Sequence, residues 1–260
     1  VLAPGRVLGE APEGVGGDDD AVGVRRVERL GPLGALARDR LVAADHAFDF
    51  RPGQHTTVQF EQDGEEVVRP YTATNHPGTD ELTLAIRRYD DGTASVWMHE
   101  RERGDTIEVG DVDGNLYVRD FESDVVFVAT GTGITPMAAM LQDYADRGEG
   151  DAHLFVGEKT REDLIYRETF DRTAASNDNV DVTYSLSEEE WNGPIGHVQN
   201  QLTDELASLE DKDFYVCGVP QMVVDTTEVL RDEGVAEDRI YTEGWEGDEV
   251  ADDEDEDESK

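Results

Sequence analysis

Cysteine is nearly absent: Cys217 is the only one in 260 residues. That excludes an intramolecular disulfide, and also a cysteine-ligated iron–sulfur cluster, which needs several thiolates. Lysine is almost as scarce, with Lys159, Lys212 and Lys260 the only lysines among 22 basic residues. Against 62 Asp and Glu, the formal net charge is −40. Such a surface repels nucleic acid and anionic membranes, so neither is an expected partner. There is no run of twenty apolar residues and no basic-then-apolar signal segment, so a soluble, cytoplasmic protein is expected. The chain opens on valine, which suggests a processed or trimmed start. His46, His55, His76, His99, His153 and His197 show no metal-ligand spacing. Acidic runs such as Asp18–Asp20 and Glu188–Glu190 read as solvated faces, so no metal is expected. An acidic, lysine-poor surface looks like that of a salt-adapted, halophilic protein, whose carboxylates repel one another at low salt.

The chain is organised around "DVVFVATGTGITPMAAML", Asp124 to Leu141. Val125 to Ala129 is an apolar, β-branched run of the kind found in strands buried on both faces of a parallel sheet. Gly131 and Gly133 allow a tight turn and close approach of a ligand to the backbone. Thr135 suits a helix N-cap and Pro136 the first helical position. A strand, a glycine turn and a helix start together offer backbone N–H groups and a helix dipole to a diphosphate. The same pattern also serves as an ordinary βα turn. It departs from the G-x-G-x-x-G fingerprint, with Pro136 where a third glycine would stand.

Residues 1–22 read as a flexible leader rich in Gly, Pro and Asp. Residues 23–121 carry short strands at 24–30, 55–60, 66–68, 82–88, 106–109 and 115–119, with one helical insertion at Ser95–Arg101. That pattern predicts a small antiparallel β-barrel or sandwich. Residues 122–247 alternate strands at 125–129, 153–157, 180–184, 213–217 and 239–241 with helices at 136–147, 162–172, 197–209 and 220–232. This half is an α/β domain with a parallel, Rossmann-like sheet. Residues 248–260 read as a disordered acidic tail.

Other motifs bear on chemistry. "RPYT", Arg69–Thr72, brings a cation, an aromatic face and a hydroxyl together within four residues. "GTAS", Gly92–Ser95, opens a short helix and forms a second candidate diphosphate site. "YVCGVPQM" places Cys217 at the end of an apolar strand, where a small buried residue is the ordinary occupant. "PGQ", "RPYT", "GTAS", "GTGITPM" and "YVCGVPQM", in that order and spacing, closely resemble the flavin reductase module of the ferredoxin–NADP reductase family. The resemblance covers about residues 24–245.

The resemblance implies an FAD barrel followed by an NAD(P) domain. It implies that Arg69 contacts the flavin diphosphate and Tyr71, beside Pro70, lies against the flavin ring. Thr72 matches the hydroxyl residue at the ring nitrogen that takes the hydride. Gly92 and Ser95 match the helix start that binds the FAD diphosphate, and Arg87, or its neighbour Arg88, a strand residue near the flavin phosphates. "GDVDGNL" keeps Gly114 of the family's G-P-x-G turn but lacks the proline. Thr130, Gly131, Thr132, Gly133 and Pro136 match the nicotinamide-dinucleotide loop, and Cys217 and Gly218 match residues beside the nicotinamide. Glu243 and Trp245 fall where the family places residues over the flavin face: Trp245 to shield the ring, Glu243 to contact the nicotinamide or relay a proton. A packing tryptophan beside a solvated glutamate is the plainer alternative.

The expected activity is that of an FAD-dependent oxidoreductase. It takes a hydride from NADH or NADPH and passes electrons to a ferredoxin, another redox protein or a small acceptor. The alternative is an FAD-binding electron-transfer subunit of a larger complex. A modest preference for NADH is expected from the loop after the third parallel strand, Ser185–Glu190, which holds three carboxylates and no base. Lys159 and Arg161, in the preceding turn, argue the other way.

Overall fold

The computed structural model describes residues 22–33, 36–44, 46–89 and 91–244. The expected leader up to residue 21, the acidic tail and Trp245 lie outside them.

The first half is an antiparallel sheet of six strands: β1 (Val22–Leu33), β2 (Leu36–Val42), β3 (His55–Gln62), β4 (Glu65–Thr72), β5 (Glu81–Arg87) and β6 (Thr106–Asp113), in the order β4-β3-β6-β1-β2-β5. An antiparallel bridge between Ala73 and Leu84 joins the two edges and closes the barrel. Closure removes exposed edges that would otherwise pair with another chain. Pro70 is accommodated because β4 has a full ladder only with β3 and meets β5 at that single bridge, so a missing N–H breaks no central ladder. Strand β3 alternates part-buried and buried residues, and Val58 and Phe60 enter a core with Leu41, Leu84, Ile86 and Met98. Helix α1 (Thr93–Glu100) closes one end of the barrel through Ala94 and Met98.

The second half is a five-stranded parallel sheet of β7 (Val125–Thr130), β8 (Ala152–Glu158), β9 (Val180–Leu186), β10 (Asp213–Gly218) and β11 (Ile240–Gly244), ordered β11-β10-β7-β8-β9. Helices α2 (Ile134–Arg147), α3 (Arg167–Ser176), α4 (Leu202–Glu205) and α5 (Pro220–Asp232) connect the strands. Phe127 of β7 faces one core with Met137, Met140 and Tyr144 of α2, while Val126 and Val128 face a second core with Phe214 and Leu230. The α2 contacts recur at helical spacing, so one stripe of the helix seals one face of the sheet. Strand order reverses between β7 and β10. In open α/β sheets the crevice at the carboxyl ends of such a pair is where ligands bind.

The two halves pack together. The Arg51–Gln54 turn sits so close to α2 that a Cβ on Gly53 would lie 2.7 Å from Met140 Sδ and 2.3 Å from the Leu116 carbonyl. The Arg119 N–H donates to Tyr215 Oη at 2.8 Å, and Tyr166 Oη to Thr74 Oγ1 at 3.4 Å.

Several expected elements need correction. Residues 115–119 form no strand: Leu116 and Val118 are buried, but against the α2 side of the parallel sheet. Strand β2 was not expected, because Arg38, Asp39 and Arg40 break its apolar pattern. Thr135 is not an N-cap. The turn Gly131–Gly133 is already 3-10 helix, α2 starts at Ile134, and Thr135 Oγ1 donates back to the Thr132 carbonyl at 2.9 Å. Pro136 consequently sits in the first turn rather than at its first position. The helix expected at 162–172 splits: the 3-10 turn Arg161–Asp163 ends at an extended Leu164, and α3 begins only after Tyr166, its N-cap, at φ 60°. The helix expected at 197–209 is a 3-10 turn, Val198–Gln201, followed by the single turn of α4.

Candidate active site at the junction of the two halves

The carboxyl ends of β7 and β10 carry the two glycine turns. Gly133 has an ordinary helical φ of −58°, so its lack of a side chain is a matter of space. A Cβ there would lie 2.3 Å from the Cys217 carbonyl oxygen and 2.6 Å from Gly218 Cα. The two turns are therefore in backbone contact. Thr130 ties them further, accepting a hydrogen bond from the Val219 N–H at 3.1 Å. Gly131 is different: its φ is +56°, and a Cβ there would meet nothing within 4 Å. The open space beside it is the room a ligand needs. The Gly131 N–H donates to Glu158 Oε1 at 2.9 Å, at the end of β8. Burial pushes the Glu158 carboxyl up to about 7, against the opposing effects of the Arg87 charge and this hydrogen bond.

Strand register assembles the rest. Thr72 pairs with His55 across β4 and β3, and Cys217 pairs with Glu243 across β10 and β11. His55 Nδ1 lies 3.2 Å from Glu243 Oε1, so the two pairs meet where the halves touch. The Glu243 hydrogen bond raises the His55 pKa, outweighing burial. Gly114 leaves room for this pair: a Cβ there would lie 2.9 Å from His55 Nδ1. Thr72 Oγ1 and Glu243 Oε2 are buried without a hydrogen-bonding partner among the described residues. Buried polar atoms ordinarily find a partner, so a hydroxyl and a carboxylate left unsatisfied at one junction fit a polar ligand.

Tyr71 is half-buried on the barrel core. The Arg69 guanidinium, on β4, donates to the Val68 carbonyl at 3.0 Å. Gly92 caps α1, and Ser95 Oγ accepts from the Tyr89 N–H at 3.2 Å, fixing the chain as it enters the helix. Arg87 reaches across to the second half and pairs with Asp163 at 3.2 Å, where Thr160 also holds the Asp163 carboxylate. Lys159 pairs with Glu188 at 3.4 Å, and Arg161 pairs with Glu189. Sequence reasoning missed His55 and Glu158 as site residues. His55 follows directly on "PGQ", and Glu158 ends the strand beside the glycine loop; those positions were the available signals. A separate cavity of about 490 Å³, lined in part by Asp151, His153, Asp181 and Lys212, lies at the opposite, amino-terminal ends of β7–β9.

Comparison with known proteins agrees with this architecture. Residues 25–117 match the oxidoreductase FAD-binding domain and residues 127–228 the oxidoreductase NAD-binding domain. Ferredoxin–NADP reductase B of Sorangium cellulosum (strain So ce56) is 31% identical over 236 residues, covering 85% of this chain and 96% of that protein. The chain belongs to the ferredoxin–NADP reductase family. It is an oxidoreductase of that family with FAD- and NAD-binding domains. The electron transfer component of anthranilate 1,2-dioxygenase from Acinetobacter baylyi (strain ATCC 33305 / BD413 / ADP1) is 29% identical over 78% of this chain, which spans 61% of that protein. Among solved structures, the flavohem-like FAD/NAD-binding domain of nitric oxide dioxygenase from Vibrio cholerae O1 biovar El Tor superposes with a TM-score of 0.80 at 22% identity, over 87% of this chain and 99% of that one. Among the described residues, no group of His, Cys, Asp and Glu is arranged to hold a metal, and no helix is long and apolar enough to cross a membrane.

Proposed function

We propose that this protein is an NAD(P)H-dependent flavoprotein reductase with its reaction at the junction of the two halves. The observation that carries this reading is the convergence of Thr72, His55, Cys217 and Glu243 with two unsatisfied buried oxygens beside the paired glycine turns. When bound, FAD supplies a ring that takes a hydride from a reduced nicotinamide and gives up electrons singly or in pairs. Residues 23–121 form the flavin half and residues 122–247 the nicotinamide half. Arg69, Gly92 and Ser95 would hold the FAD diphosphate, with Arg87 as a further phosphate-side residue, while Pro70, Tyr71 and Thr72 would hold the flavin ring. Thr130, Gly131, Thr132, Gly133 and Pro136 shape the dinucleotide loop. Cys217 and Gly218 would hold the nicotinamide, with Glu243, the strand partner of Cys217 and neighbour of His55, beside them. The chain orients two rings and excludes water; hydride transfer itself needs no general acid.

The acceptor is a ferredoxin-like redox protein or a small molecule. The likeness to a dioxygenase electron transfer component supports a protein acceptor. A set of candidate acceptors, each offered to the anaerobically reduced protein, tests this: the acceptor is the one that reoxidises the protein at a rate matching turnover, and reoxidation by no protein acceptor would remove that part of the reading.

A modest NADH preference follows from the ribose-side loop. Lys159 and Arg161, the bases nearest that loop, are paired with Glu188 and Glu189. A ribose phosphate would have to displace a carboxylate from each. The check is kcat/KM for both cofactors with one dye acceptor. A tenfold preference for NADPH, about 1.4 kcal/mol, would contradict it. We further propose salt adaptation in the cytoplasm, on the −40 charge and the scarcity of lysine.

A further inference from the structure

The chain carries its own anion at the dinucleotide loop. Gly131 is the first residue of the glycine turn, and its N–H is already taken by Glu158 Oε1 at 2.9 Å. The carboxylate comes from β8, the neighbouring strand, where Gly157 pairs with Thr130. This register brings Glu158 to the mouth of the crevice between β7 and β10. Backbone N–H groups at such a turn are the donors a diphosphate uses. A resident carboxylate takes one of them and also sets a negative charge against the incoming phosphates. We infer that Glu158 is a binding determinant for the dinucleotide: its carboxylate must leave the Gly131 N–H, or lose its charge, before the diphosphate can settle. This rests on the proposed function, since it assumes that the crevice takes NAD(H) or NADP(H).

The surroundings favour loss of charge. The charged groups facing Glu158 from the packed elements are Arg87 of β5, which favours its ionised form, and Asp163 of the 3-10 turn Arg161–Asp163, which opposes it. Arg87 is itself paired with Asp163, so it is not dedicated to Glu158. Burial dominates and puts the Glu158 carboxyl at about 7, where a proton is readily taken up. Binding of a dianionic diphosphate then favours protonated Glu158, and by linkage affinity falls as pH rises.

The test uses the full chain loaded with FAD and titrated calorimetrically with NAD⁺, which has no titrating ribose phosphate. The dissociation constant should rise between pH 6 and pH 8 by up to about tenfold, the limit for one proton taken up at a carboxyl of pKa about 7. Near neutrality, titrations in buffers of different ionisation enthalpy should show net proton uptake. Glu158→Gln keeps the shape and an acceptor for the Gly131 N–H but carries no charge. It should bind at every pH about as tightly as the parent does at pH 6, with a flat profile. A flat profile and no proton uptake in a parent that binds NAD⁺ normally would overturn the inference and leave the proposed function standing. An unchanged pH slope in Glu158→Gln would assign the titration to another group and overturn it equally. Failure of both proteins to bind NAD⁺ at any pH would overturn the proposed function and this inference with it.

Discussion

Gly131 and Gly133 lie two residues apart in one turn, yet alanine should act differently at each. At Gly133 the backbone is helical and alanine has no conformational objection to it. The obstacle is the Cys217 carbonyl, 2.3 Å from the new Cβ, with Gly218 Cα at 2.6 Å. Reaching ordinary contact at 3.4 Å takes about 1.1 Å of movement, and the obstructing atoms are all backbone. The β7 turn and the β10 turn must therefore part. Overpacking of this kind costs about 1–3 kcal/mol of stability. A displacement near 1 Å at a reacting site costs about 10²-fold in rate. Gly133→Ala should thus keep its FAD, lose a modest part of its thermal stability and be reduced by NADH about a hundredfold more slowly. At Gly131 there is nothing within 4 Å to strike, but φ is +56°. Gly131→Ala should cost roughly 1–2 kcal/mol of backbone strain and weaken dinucleotide binding by filling the ligand's space. The assay is rapid-mixing reduction of FAD-loaded protein, alongside thermal melts. Parent-like reduction and melting by Gly133→Ala would refute the claim that the two turns are in obligatory contact.

Three other outcomes follow. Arg69→Ala should lower FAD occupancy by a contribution of roughly 1.5–3 kcal/mol, as for a charge-assisted bond to phosphate; equilibrium dialysis against FAD checks it, and parent-like retention would remove Arg69 from the site. The His55 pKa is raised in the fold by Glu243, so the pair's stabilisation is full below the unfolded value of 6.5 and fades as pH rises through the folded value. His55→Gln should therefore cost more stability at about pH 6 than at about pH 9, as read from urea midpoints; an equal cost at both would show that the contact does not depend on charge. The −40 net charge should make the fold more stable in molar potassium chloride than in dilute buffer, because the Debye length falls to about 3 Å at 1 M; a flat or falling melting temperature would contradict salt adaptation.

The parallel half was legible because its signals are local. Val125–Ala129 is apolar without interruption, and a strand of that kind has few alternatives to the middle of a parallel sheet. The barrel half was less so. Alternation at Leu116 and Val118 reports burial on one side, and burial there comes from α2 rather than from a strand partner. In β2 the charges of Asp39 and Arg40 hide a strand that the neighbouring ladders impose; Arg40 is matched by Glu81 across the sheet at 2.9 Å. The glycine turns and "RPYT" stood out by residue type. His55 and Glu158 did not, because each owes its place to a partner from another element: Glu243 for His55, and the Gly131 N–H for Glu158. The same distance in sequence hid the pairing of Arg87, Lys159 and Arg161 with carboxylates. In so acidic a chain, a base or an N–H suited to phosphate commonly has a resident carboxylate.

The most direct test of the central claim is anaerobic mixing of the FAD-loaded protein with one equivalent of NADH or NADPH. The account predicts a yellow protein whose visible flavin band bleaches on mixing and returns when an electron acceptor is added. A yellow protein that neither nicotinamide bleaches, or a colourless one that cannot be loaded with FAD, would contradict it.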